Sequence, residues 1–138
     1  MKHRHGFNAQ ALLEFALVIP LLLFVLMVFF DIGRAVYYNV TLSNAVREGA
    51  RYASVNPDPV SEIEGRVSDY SIAVQGVDVT VSFEINEPPA FSYVSVKGDL
   101  VFTPVTPGLT LLLGSSGVIN LSSESRMQLT PWGYFTIP

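Results

Sequence analysis

Residues 10–30 of this 138-residue chain read QALLEFALVIPLLLFVLMVFF, with Glu14 as the one charge and Pro20 as the one helix breaker. As a helix rising 1.5 Å per residue this run reaches about 31 Å, which matches a hydrocarbon core of ~30 Å. Whatever else the chain does, a stretch this apolar and this long has to be placed in lipid or covered completely. Lys2 and Arg4 precede it with no acid among them. The positive-inside bias then holds the N-terminus in the cytoplasm and sends the remainder across. A cleaved secretory signal fits poorly, because Glu14 interrupts the basic-to-apolar transition and no small-x-small site follows Phe30. The pattern predicts a retained, single-pass anchor in the inner (cytoplasmic) membrane.

Composition narrows the function of the segment beyond the apolar run. From Asp31 onward there are six Lys and Arg against eleven Asp and Glu, an acidic balance without a basic patch, which argues against nucleic acid as a partner. The chain has no Cys, so neither a disulfide framework nor a thiolate metal site is available. Both histidines, His3 and His5, precede the apolar run, which removes serine triads and imidazole zinc sites from the exported part. Glu62, Glu64, Asp78, Glu84, Glu87 and Asp99 could in principle supply a two-carboxylate hydrolase. Each falls where a solvated sheet face or helix surface places acids anyway. The GSSG stretch lacks the Lys and the strand-to-helix setting of a phosphate loop. Asn39-Val40-Thr41 and Asn120-Leu121-Ser122 match a glycosylation sequon, but one falls on a helix and the other in a strand. No enzyme, no cofactor, no metal and no small-molecule substrate is expected.

After the anchor, DIGRAVYYNVTLSNAVREGARYASV contains no Pro, and Ile32, Val36, Val40, Ser43, Val46, Ala50 and Ala53 recur at helical intervals. Arg34, Asn44, Arg47, Glu48 and Arg51 fall on other faces. One helix of roughly 69 Å over residues 10–55 is predicted, bent or loosened at Pro20. Asp58 as cap, Pro59 at the first helical position and Glu62 in the first turn predict a short helix over 59–70.

Period two takes over beyond it. Val77, Val79, Val81, Phe83 and Ile85 face one way in a first strand, and Val94, Val96, Gly98, Leu100 and Phe102 in a second. Ile119, Leu121, Ser123, Ser125, Met127 and Leu129 do so less cleanly in a third. Between the last two, Thr106, Pro107 and Gly114 mark a one- or two-turn helix. The expected fold is α+β: a long helix, half anchor and half amphipathic cover, packed on an antiparallel sheet of three or four strands. The expected parts are a basic leader over 1–9, the membrane half of the helix over 10–30, and an exported domain over 31–138. Within that domain the helix continues over 31–55 and the sheet lies within 77–129. The tail, with Trp132, Tyr134, Phe135 and Ile137, is expected to complete the core or add an edge strand.

Glu14 sits only about 6 Å along the helix axis from Gln10, so it can snorkel to the headgroups and be a boundary glutamate without a partner. Alternatively, a carboxylate that costs on the order of 2.5–3.5 kcal/mol inside a bilayer finds a cation when chains assemble side by side.

QALLEFALVIP, the DIGRA after the apolar run and REGARYA near the helix end resemble the TadE-like proteins, minor pseudopilins of the tight-adherence branch of type IV pili. The resemblance covers about 45 residues closely, and the strands with TPGLTLLL between them follow the family's looser C-terminal pattern. It implies a pilin-like fold and cleavage by a prepilin peptidase on the cytoplasmic side, leaving Glu as the fifth mature residue. Carried over, the cut falls between Ala9 and Gln10, Glu14 is that fifth residue, and Phe15 follows it. The new α-ammonium of one subunit would pair with Glu14 of a neighbour, while Leu12, Leu13, Leu17, Pro20, Leu21 and Phe24 pack in a shared helical bundle. The partners implied are the peptidase, the assembly-platform membrane proteins, the major pilin and other pseudopilins. The family usually has Gly before the cut, whereas this chain has Ala9, and its nearest Gly, Gly6, would make Glu14 the eighth residue. Two functions are therefore compatible with the sequence: a processed pseudopilin of a tight-adherence pilus, and an uncleaved, membrane-anchored binding or scaffold protein of the cell envelope.

Overall fold

The computed structural model describes residues 5–57, 59–71, 74, 76–85, 91–106, 109 and 117–129. Helix α1 is His5–Ala53, helix α2 is Val60–Tyr70, and strands β1, β2 and β3 are Asp78–Glu84, Tyr93–Phe102 and Ile119–Gln128. The strands form an antiparallel meander in the order β1-β2-β3. The α+β class and the long apolar N-terminal helix are as the sequence predicts.

Helix α1 continues through Pro20 without interruption, although the Ala16 carbonyl receives no amide from that residue. It ends at Ala53 rather than 55, where Ser54 donates its amide to the Ala50 carbonyl at 2.9 Å and Asn56 to that of Tyr52 at 2.9 Å. Helix α2 starts one residue later than expected: Pro59 occupies the N-cap position in extended conformation and makes no side-chain cap. Glu62 lies in its first turn as predicted. Asp58, the Pro107-to-Gly114 helix apart from Leu109, and the C-terminal tail lie outside the described residues. β1 is shorter than expected because its ladder ends at Glu84 opposite Tyr93, the first residue of β2. Ile85, beyond that pair, is exposed rather than turned into the core.

The inward faces of the strands follow the alternation. Val94, Val96, Leu100 and Phe102 of β2 are buried, Val79, Val81 and Phe83 flank them from β1, and Leu121 and Met127 from β3. Leu42, Ala45, Val46, Ala50 and Ala53 of α1 and Ile63 and Val67 of α2 close the other side.

The covering face of α1 differs in part from the expected stripe. Val46, Ala50 and Ala53 are buried, but Ile32, Val36 and Val40 are all more than half exposed. The face that meets the sheet runs through Asp31, Tyr38, Leu42, Val46, Gly49 and Ala53, about a quarter turn away from Ile32 and Val36. Close approach decides this. A Cβ on Gly98 would lie 2.7 Å from Val46 Cγ2 and 2.9 Å from Leu42 Cδ1, so the helix settles where β2 has no side chain. A Cβ on Gly49 would meet Val67 Cγ2, which lets α2 approach in the same way.

These contacts set β2 alongside α1 in the opposite direction. Gly49 lies by Val96, Val46 and Leu42 by Gly98, Tyr38 edge-on to Phe102 at 5.7 Å, and Asp31 by Val105 and Thr106. Eighteen residues back along the helix cover about 27 Å, and nine forward from Val96 about 30 Å, so helix and strand keep step.

Candidate functional site: the apolar helix and its anchor at Asp31

All the residues that sequence reasoning assigns to processing and assembly lie on the first part of α1. Ala9, Gln10, Glu14 and Phe15 are exposed, as are Leu12, Leu13, Leu17, Pro20, Leu21 and Phe24. Leu12, Leu13, Phe15, Leu17 and Leu21 each expose more than 60% of their surface. Among the described residues none of the apolar window of this helix is buried, and by length and composition it can cross a membrane. The structure thus brings these residues together only as neighbours on one rod.

Where the helix leaves the expected span, the structure shows an arrangement that sequence reasoning missed. Asp31 retains 4% of its surface and Thr106, 75 positions later, 2%. The Thr106 hydroxyl donates to Asp31 Oδ2 at 2.6 Å and the Thr106 amide to the same oxygen at 2.7 Å. The Val105 amide reaches both carboxylate oxygens, at 3.1 and 3.0 Å. Arg34, read as off the packing face, is half-buried: its Nη1 lies 3.3 Å from Asp31 Oδ1, and its guanidinium lies over the rings of Tyr38 and Phe102. Burial pushes the Asp31 pKa up, but the Thr106 hydroxyl, the Thr106 and Val105 amides and Arg34 outweigh it and hold the carboxyl below its ordinary value. Among the described residues no buried side-chain nitrogen or oxygen lacks a partner.

The signal available in the sequence was an Asp placed directly after the apolar run with Arg three residues on, one helical turn apart. Its partner could not be read: Thr106 before Pro107 looks like a helix cap, and nothing local says that its hydroxyl points at a helix 75 residues earlier.

The family comparison covers this same rod. Residues 9–51 match the family model described as TadE-like protein. The TadE-like segment therefore includes the apolar run, the Asp31–Arg34 pair and most of the helix that covers the sheet. That family is one of structural pilus components, and the match together with the apolar helix fits a membrane protein associated with a Tad pilus. No curated protein and no solved structure matches the chain.

The remaining surfaces show little chemistry. On the outer sheet face a groove of about 230 Å³ is lined by Ser82, Glu84, Tyr93, Ser95, Glu124 and Arg126. Its polar groups are engaged within the groove: Arg126 pairs with Glu84 and lies over Tyr93, and the Ser95 hydroxyl donates to Glu124 at 2.5 Å. Among the described residues no group of three or more His, Cys, Asp and Glu side chains could hold a metal ion. Glu62, Glu64, Asp78 and Glu84 are exposed and Asp99 is half-exposed; Glu87 lies outside the described residues.

Proposed function

We propose that this protein is a minor pseudopilin of a tight-adherence pilus, inserted with its N-terminus in the cytoplasm and released from its leader by cleavage between Ala9 and Gln10. The observation that carries this is the TadE-like match over residues 9–51, which starts at the proposed cut and continues through the apolar run into the helix that holds the sheet. An apolar rod that no other described residue covers supports the reading, since subunits of an assembly bury such surfaces against one another. In that setting the new α-ammonium at Gln10 pairs with Glu14 of a neighbour, and Phe15, Leu17, Leu21 and Phe24 fill the bundle. An ion pair shielded from water rewards correct stagger, because an unmatched carboxylate there keeps its full desolvation cost. The role is structural: the chain is the substrate of a peptidase and performs no chemistry itself.

Intact-mass measurement of the protein extracted from membranes tests this directly. Loss of residues 1–9 is expected. A mature species of full length would remove the processed-pseudopilin reading and leave a permanently anchored envelope protein.

A further inference from the structure

The Asp31 anchor fixes more than the fold. Asp31 is the first residue after the 21-residue apolar run, and the Val105 backbone amide is bonded to its carboxylate at 3.0 Å. The loop that follows β2 is therefore held at the level where the span ends. At that level Val105 exposes 74% of its surface. Phe30 and Ile32, on either side of Asp31, are also exposed. Single exposed apolar residues are ordinary on a protein surface. Phe30 and Ile32 instead flank Asp31 on the helix and Val105 is bonded to its carboxylate, so these three lie at one level.

Charge follows the same division. Between Asp99 and Glu124 the sequence contains no charged residue, in a domain otherwise rich in acids. Asp31, the acid next to the plane, is enclosed by its donors and by Arg34. An acidic surface would be held off anionic headgroups, whereas among the described residues at that end Thr103, Val105 and Asn120 are exposed and uncharged, and the partly exposed charge beside Asp31 is the cation Arg34. By contrast, Glu84 and Arg126 are found toward the opposite end of the ladder, with Glu84 opposite Tyr93.

We propose that Val105, with Phe30 and Ile32, rests in the headgroup region of the outer leaflet, so that the sheet domain sits on the bilayer by the end of β2 and does not stand free above it. The occupant is lipid. This rests on reading residues 10–30 as a membrane span, and the test separates the two.

The absence of Cys allows single labels to be placed cleanly. The full chain carrying an environment-sensitive fluorophore on Val105→Cys, Ser82→Cys or Leu21→Cys is reconstituted in phosphatidylcholine vesicles. Quenching is compared between a nitroxide at the lipid headgroup, a nitroxide deep in the acyl chain, and a soluble quencher. The label at 105 should be quenched by the headgroup nitroxide several-fold more than that at 82, and should be partly shielded from the soluble quencher. The label at 21 should respond to the deep nitroxide. If 105 behaves like 82 while 21 responds to the deep nitroxide, the span stands and the surface contact is overturned. If 21 also reports water, the span reading fails and the contact with it. Adding Asp31→Ala to the label at 105 provides a further check: headgroup quenching should fall toward the value at 82, and unchanged quenching would overturn the anchor as the cause of the placement.

Discussion

The Thr106 hydroxyl donates to the Asp31 carboxylate at 2.6 Å, joining the loop beyond β2 to the helix at a sequence separation of 75. This bond and its three backbone companions hold the sheet domain to the helix at the end of its apolar run.

Removing the acceptor should be costly. Asp31→Ala leaves the Val105 amide and both Thr106 donors without a partner, and a buried donor stranded in this way costs about 1–3 kcal/mol. Thr106→Val removes one donor and should cost less. Urea unfolding of the full chain in detergent micelles, followed by circular dichroism, should rank wild type above Thr106→Val and Thr106→Val above Asp31→Ala.

The same group sets a dependence on acidity. Its folded-state pKa lies below the ordinary carboxylate value, so the stabilisation is fully present above the unfolded pKa of about 3.9 and is lost as pH falls through the folded value. Asp31→Asn should flatten that loss. Stability measured from pH 6 downward in both proteins checks the sign: the gap between them should narrow as the solution becomes more acidic.

Packing at Gly98 makes a coupled prediction. Gly98→Ala should destabilise by about 1–3 kcal/mol through overpacking against Val46 and Leu42. Leu42→Ala alone should cost about 2–5 kcal/mol. The double variant should lose less than the two single losses together, because the truncated side chain clears space for the added methyl.

The exposed face of α1 should matter between subunits and not within one. Val36→Glu, on the exposed side, should stay within about 0.5 kcal/mol of wild type in monomer stability. If that side packs against neighbouring subunits, as the pseudopilin reading requires, the same substitution should reduce piliation counted by electron microscopy.

Glu14→Ala should leave insertion and cleavage intact while pilus assembly fails. Normal piliation in this variant would show that the carboxylate has no role between subunits.

The long helix, the three alternating strands and the TadE-like resemblance were legible because each rests on local periodicity or on a contiguous motif. β2 was the clearest case, since all five of its inward positions follow from strict alternation. The rotation of α1 was not legible. Ile32, Val36 and Val40 are as apolar as Leu42, and the choice between faces is made by the missing side chain of Gly98, a tertiary fact. Asp31 was visible as a charge, but its acceptor role depends on Thr106, whose position only the folded chain defines. The cut, the Glu14 pairing and the bundle contacts concern other molecules, and one chain's contacts do not reach them.

The antiparallel run of β2 beside α1 also has a mechanical consequence. A pull along the helix axis, such as a subunit meets when drawn out of a bilayer, loads the Asp31 bonds, the Tyr38–Phe102 contact and the Gly98 packing side by side. Spread along one seam parallel to the axis, they share that load. Axial force on the helix therefore reaches the sheet as shear along the seam between α1 and β2.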